Sequence, residues 1–212
     1  MKTDTENKRQ HILKIAIEIF AKFGFAKTTL DDIADAVGMK KGSLYYYFDS
    51  KEVIFSAAIN EVAKHCFNDM KQAAEGEQTA RTAILRFSES GLRCAQNATN
   101  VIGVSASAQV KLELLPLAEQ MLKGFHDEML NYLSAIIERG INSGEFRKCD
   151  AKRLSNAIHS VIDGIEWHTL YMSSAQGKQE VDIEHVVEQS LFLINIILDG
   201  IIPAGSPAPA SS

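Results

Sequence analysis

The sequence predicts an all-α protein, with an N-terminal three-helix unit followed by a larger helical region. Two observations carry that expectation. Apolar residues recur at steps of three and four along most of the 212 residues, the period of an amphipathic helix. Residues that start and stop helices punctuate this rhythm, and no alternating β run or internal repeat interrupts it.

Taken in order, Ile12, Ile15, Ala16, Ile19, Phe20 and Phe23 form one stripe, and Gly24 ends it. Leu30, Ile33, Ala34 and Val37 share the face of a short helix stopped by Gly38, a residue tolerant of the positive φ that such a turn needs. Thr28-x-x-Asp31 and Thr29-x-x-Asp32 both fit a capping pattern at its start. Lys40 to Phe48 follows as a second short helix, and a long one is expected from Lys51 to Ala74. Ala80, Ala83, Ile84, Phe87, Ser88, Gly91, Leu92 and Ala95 keep the helical spacing. Pro116 is expected to open the next helix, running to Ile141, and Asp150 to cap another reaching Met172. The last helix is expected from Asp182 to Asp199. The Pro/Ala/Ser/Gly tail, residues 203–212, has too little apolar surface to pack and is expected to be disordered. The domain reading is 1–52, 53–202 and tail.

Composition excludes several classes. Three widely spaced cysteines, Cys66, Cys94 and Cys149, make no disulfide framework, and no C-x-x-C pair offers zinc ligands. No apolar run approaches the roughly 18 residues of a membrane span, and the polar N-terminus lacks a signal-peptide core. No membrane partner and a cytoplasmic location are expected. Net charge is −5, but residues 1–52 hold nine Lys/Arg against eight Asp/Glu, for +1, leaving −6 beyond them. Only charge local to a phosphate decides polyanion binding.

The chemistry concentrates in residues 28–51. Two short helices joined at Gly38 make a helix-turn-helix, with the first helix completing a three-helix core. On the second short helix Leu44 and Phe48 face inward, while Gly42 and Tyr46 face outward. Lys40 and Lys41 stand at its tip, Gly42 admits close backbone approach, and Ser43, Tyr45, Tyr46 and Tyr47 carry hydroxyls. Lys51 is placed to clamp a flanking phosphate. For Tyr45 and Tyr47, core packing is an equal alternative.

This stretch resembles the DNA-binding domain of TetR-family transcriptional regulators, through Gly24, Thr28, Thr29, Ile33, Ala34, Gly38, Lys41, Gly42, Leu44, Tyr45, Phe48, Lys51 and Glu52. The resemblance implies that Thr29, Tyr46 and Lys51 hold phosphates. Lys41 and Gly42, joined by Ser43 or Tyr47, then face base edges of a palindromic double-stranded DNA operator. Met39-Lys40 departs from the Val-Ser common in the family. The resemblance also implies a C-terminal region that dimerises and binds a small-molecule effector.

Residues 191–198 are apolar around nearly the full helix, which demands burial on several sides. A homodimer interface is expected through Ile158, Ile162, Leu191, Ile194, Ile197 and Leu198, with an internal core helix as the alternative. An apolar or aromatic effector is expected among Phe87, Cys94, Phe125, Met129, Tyr132, Trp167, His168, Tyr171 and Met172, although such residues at helical spacing also suit plain core. His126 with Asp127, or His159 with Asp163, lacks a third metal ligand, so neither a metal nor a cofactor is expected. No catalytic motif appears. The expected function is a ligand-released repressor; the competing readings are a helical protein-interaction module without DNA binding and, less well supported, an enzyme.

Overall fold

The computed structural model describes the backbone of residues 2–101, 108–175 and 182–203, and the side chains of residues 5–94, 124–169, 171–172 and 182–203. Residues 204–212 of the expected tail lie outside the described residues, as do residues 176–181. The described residues form eight helices and no strand. They are α1 (Lys2–Phe23), α2 (Leu30–Val37), α3 (Lys41–Leu44), α4 (Lys51–Ala74), α5 (Ala80–Val101), α6 (Ala108–Asn142), α7 (Ala151–Ala175) and α8 (Ile183–Asp199).

The bounds of α2, α4 and α8 follow the punctuation in the sequence. Pro116 does not: it lies inside α6, which begins at Ala108. A proline deletes a single backbone donor, and α6, at 35 residues, keeps the rest of its ladder. At the other helix starts, Asp150 caps α7 by accepting from the Arg153 N–H at 2.9 Å, and Asp182 caps α8 by accepting from the His185 N–H at 3.1 Å.

The chain forms two compact units. The first joins residues 1–65 to residues 94–125. Its core holds Ile12, Ala16 and Phe20 of α1, Ile33 and Val37 of α2, Leu44 and Phe48 around α3, and Ile54, Phe55 and Ile59 of α4. The first turns of α4 therefore complete this core, and the unit runs past residue 52. Phe20, Phe25 and Phe55 pack ring to ring, with Phe20–Phe55 edge-on at 5.1 Å between centroids.

The second unit comprises residues 66–93 and 126–212. Met70, Ala83, Ile84, Phe87, Leu133, Ile137, Phe146, Ile158, Ile194 and Leu198 fill its core. Gly140 lets two parts approach closely: a Cβ there would lie 2.3 Å from the Phe146 ring and 2.8 Å from Ala80 Cβ. Glu145 turns its carboxylate onto the start of α5, accepting from the Ala80 and Arg81 N–H groups at 2.7 and 2.8 Å. This satisfies two orphan donors and sets negative charge at the positive end of the helix.

Candidate nucleic-acid interface

The helix-turn-helix is built from short-range hydrogen bonds. Thr29 and Asp32 form a complete capping box at the start of α2. The Asp32 carboxylate accepts from both the N–H and the hydroxyl of Thr29, each at 2.7 Å, and these bonds hold its pKa below the ordinary value. At the other end Gly38 adopts φ 72°, where L side chains are strained. The Gly38 and Met39 N–H groups donate to Asp35 and Ala34 carbonyls, closing α2. The chain then enters α3 through an extended Lys40. Tyr47 and Phe48 N–H groups both return to the Leu44 carbonyl, so the turn continues past the end of α3.

The faces divide as the spacing predicts. Leu44 and Phe48 are buried, and Tyr46 is 76% exposed. Lys40, Lys41, Gly42, Ser43 and Tyr45 are exposed; Tyr47 is half-buried, packs against the first core and meets Tyr46 edge to face at 5.1 Å. A Cβ on Gly42 would meet nothing within 4 Å, and its φ is not positive. Nothing inside the chain therefore requires a glycine there. Arg9 holds this turn from α1, donating to the Tyr47 carbonyl and lying 4.0 Å above the Phe48 ring. Sequence reasoning overlooked Arg9, because neither periodicity nor a motif links residues 38 positions apart.

Two residues expected to hold phosphates have other work. Lys51 donates to the Phe25 and Thr28 carbonyls, both at 2.9 Å, and sits 4.2 Å over the Phe25 ring. Two of its three donors thus tie the first turn of α4 to the loop before α2. The Thr29 hydroxyl proton is likewise given to Asp32 within the capping box. Lys41 pairs with Asp31, Nζ to Oδ2 2.8 Å.

Of the residues expected around an effector, Phe87, Met129 and Tyr132 share the second core. Phe87 is buried; Tyr132 stacks on it at 5.3 Å, and Phe67 meets both rings edge-on. Met129 packs against the same core. Trp167, His168, Tyr171 and Met172 instead lie exposed on α7, Trp167 at 53% and Tyr171 at 71%. Phe125 is half-buried and belongs to the first unit. Cys94, expected to line an effector and to belong to no disulfide framework, is disulfide-bonded, as is Cys66, while Cys149 is free.

Of the six residues expected at a subunit interface, three are sealed inside the chain and three are half-buried. Ile158, Ile194 and Leu198 are fully buried in the chain's own core, with Ile162 and Ile197 packed against it and Leu191 against a smaller cluster around Leu92, Val186 and Val187. A helix apolar on all sides does not reveal which side is inner. The outer apolar residues of α8 are Phe192, Leu193 and Ile196.

The His126 and His159 rings meet at a tilt of 46° with centroids 4.6 Å apart, and His159 lies 3.5 Å from Asp163. Burial lowers the His159 pKa more than Asp163 raises it. No cluster of three or more metal-ligating side chains occurs among the described residues, and none of the described helices is long and apolar enough to cross a membrane.

The family described as bacterial regulatory proteins, tetR family, matches residues 12–58, the span of this helix-turn-helix. The chain is 26% identical over 159 residues to the fatty acid metabolism regulator protein of Bacillus subtilis (strain 168), covering 74% of this chain and 80% of that one. It is also 26% identical over 202 residues to the HTH-type transcriptional regulator RutR of Escherichia coli (strain K12), covering 92% and 91%. A transcriptional regulator from Cytophaga hutchinsonii ATCC 33406 shares the fold, with a TM-score of 0.74 at 21% identity over 91% of this chain and 97% of that one. Residues 12–58 thus form a TetR-family DNA-binding helix-turn-helix, and over most of its length the chain is similar to transcriptional regulators, which are not enzymes.

Proposed function

We propose that the protein is a cytoplasmic repressor that binds a palindromic operator as a homodimer and releases it when a small apolar or aromatic molecule binds the second unit. The observation that carries the DNA side is Gly42: an open, ordinary-φ glycine in the middle of an exposed turn, flanked by Lys40, Lys41, Ser43 and Tyr46. Glycine costs a helix about 1 kcal/mol relative to alanine. Nothing within the chain repays that cost; close approach of a DNA backbone or base edge does.

Dimerisation is supported by the apolar groups left bare on two helices that pack on each other, Trp167, Tyr171 and Met172 on α7 and Phe192, Leu193 and Ile196 on α8. Contiguous exposed apolar surface marks an interaction site. A two-fold pair would present α3 twice, at about 34–36 Å or a multiple, matching successive major grooves. Phe67, Phe87, Met129 and Tyr132 are the aromatic and thioether groups an apolar effector would meet. The Bacillus relative, a regulator of fatty acid metabolism by name, agrees with that class. α4 supplies residues to both cores, so an effector that prefers the DNA-incompetent state weakens operator affinity by linkage through this helix.

Fluorescence anisotropy at fixed salt, with duplex from the region upstream of the protein's own gene, tests the reading. Saturable binding of one dimer per site, competed by specific and not by random duplex, is expected. A monomer in sedimentation equilibrium, or equal affinity for every duplex, would refute it.

A further inference from the structure

Among the described residues, Asp31 is the acidic side chain that pairs with the tip of α3. Its Oδ2 lies 2.8 Å from Lys41 Nζ, and both side chains are open to solvent, 60% and 45% exposed. Asp31 stands in the first turn of α2 and Lys41 opens α3, so the pair bridges the two helices of the motif. An ion pair this exposed adds little to stability. Nor does Asp31 cap α2, since the capping box belongs to Thr29 and Asp32. The carboxylate raises the Lys41 pKa and keeps the ammonium charged. On a surface that meets phosphates, a carboxylate without a fold-holding task weakens indiscriminate binding. Its useful chemistry there is to accept a hydrogen bond from a base amine.

We propose that Asp31 determines sequence specificity: with Lys41 it forms a donor–acceptor pair that reads one G·C base pair in each half-site. Lys41 donates to guanine O6 and N7, and Asp31 accepts from cytosine N4. The inference rests on α3 entering the major groove, the reading given above.

The spacing fits. Guanine O6 and cytosine N4 are hydrogen-bonded to each other, about 2.9 Å apart, and Nζ and Oδ2 stand 2.8 Å apart. A donor and an acceptor on the protein thus face an acceptor and a donor on one base pair. The reversed C·G pair sets the amine against the ammonium and the carbonyl against the carboxylate. T·A offers the right central order, O4 then N6, but crowds the lysine with the thymine methyl and turns adenine N7 toward the carboxylate. G·C alone gives Lys41 a second acceptor, N7, with no such conflict.

Selection from a random duplex library, run with wild type, Asp31→Ala and Lys41→Ala, tests this. Wild type should yield a G·C at one symmetric pair of positions; Asp31→Ala should admit other pairs there and bind random duplex several-fold more tightly. Replacing that cytosine by 2-pyrimidinone, which lacks the N4 amine, should weaken wild type about tenfold and leave Asp31→Ala unaffected. Replacing the guanine by 7-deazaguanine should weaken wild type and Asp31→Ala alike, and spare Lys41→Ala. If Asp31→Ala keeps the wild-type preference while Lys41→Ala loses it, the role of Asp31 is refuted and the groove-reading helix stands. If both variants keep the wild-type preference, the pair reads no base and the inference fails; if wild type selects no sequence, the placement of α3 fails with it. Circular dichroism melts confirm that both variants fold, as expected for exposed positions.

Discussion

On and beside α3 the bare groups are a glycine, a serine, two lysines and the Tyr45 and Tyr46 rings with their hydroxyls; on α7 and α8 they are Trp167, Tyr171, Met172, Phe192, Leu193 and Ile196. Water solvates the first set well, so that surface is stable uncovered and suits a partner that arrives and leaves. The second set loses about 25 cal/mol for every Å² left wet, so that surface suits permanent cover. The two surfaces thus carry different chemical marks on one chain.

Charge placed on the second surface should break the contrast most. Phe192→Glu should raise the dimer dissociation constant at least about 100-fold, or about 3 kcal/mol, read by sedimentation equilibrium, with the monomer still helical. A smaller effect tests how apolar the surroundings of α7 are. Burial, and then the charge of Asp163, push the Glu166 carboxyl up to about 7. A folded-state pKa above the unfolded one means stability falls as pH rises from about 4.5 through about 7. Glu166→Gln should therefore leave stability unchanged at pH 4 and add about 2–3 kcal/mol at pH 8, measured by urea unfolding at both pH values.

On the DNA-binding side, Lys51→Met should cost about 2 kcal/mol of stability by removing two charged hydrogen bonds and a cation–π contact. The salt dependence of DNA binding should keep its wild-type slope; a slope shallower by about one unit per subunit would restore the phosphate clamp. Gly42→Ala should give the smallest change in stability, a gain of about 1 kcal/mol, together with a loss of DNA affinity of about tenfold. Thermal melts and anisotropy titrations on the same variant separate the two.

The helix-turn-helix was legible in the sequence because its determinants are local. Thr29 to Asp32 spans three residues, Gly38 marks its own turn, and Leu44 and Phe48 repeat at four. Long-range ties were not legible: Arg9 on Tyr47 and Phe48, Lys51 on Phe25 and Thr28, and Glu145 on the start of α5 depend on the folded chain. In α8 the period was clear and the phase was not. Val187, Ser190, Ile194 and Leu198 form the inner stripe, but Phe192, Leu193 and Ile196 are equally apolar. Asn195, bonded to Arg81 at 2.7 Å and to the Leu191 carbonyl at 3.0 Å, marks a polar seam that hydropathy alone reads as a mere interruption.

The lysine that joins Phe25 and Thr28 to the start of α4 works as a tie-rod. The first turn of α4 cannot swivel without dragging the loop that sets where α2 begins, or else snapping two bonds and lifting a cation off its ring. Torque on that helix thereby loads the segment from Phe25 to Thr28 that leads into α2.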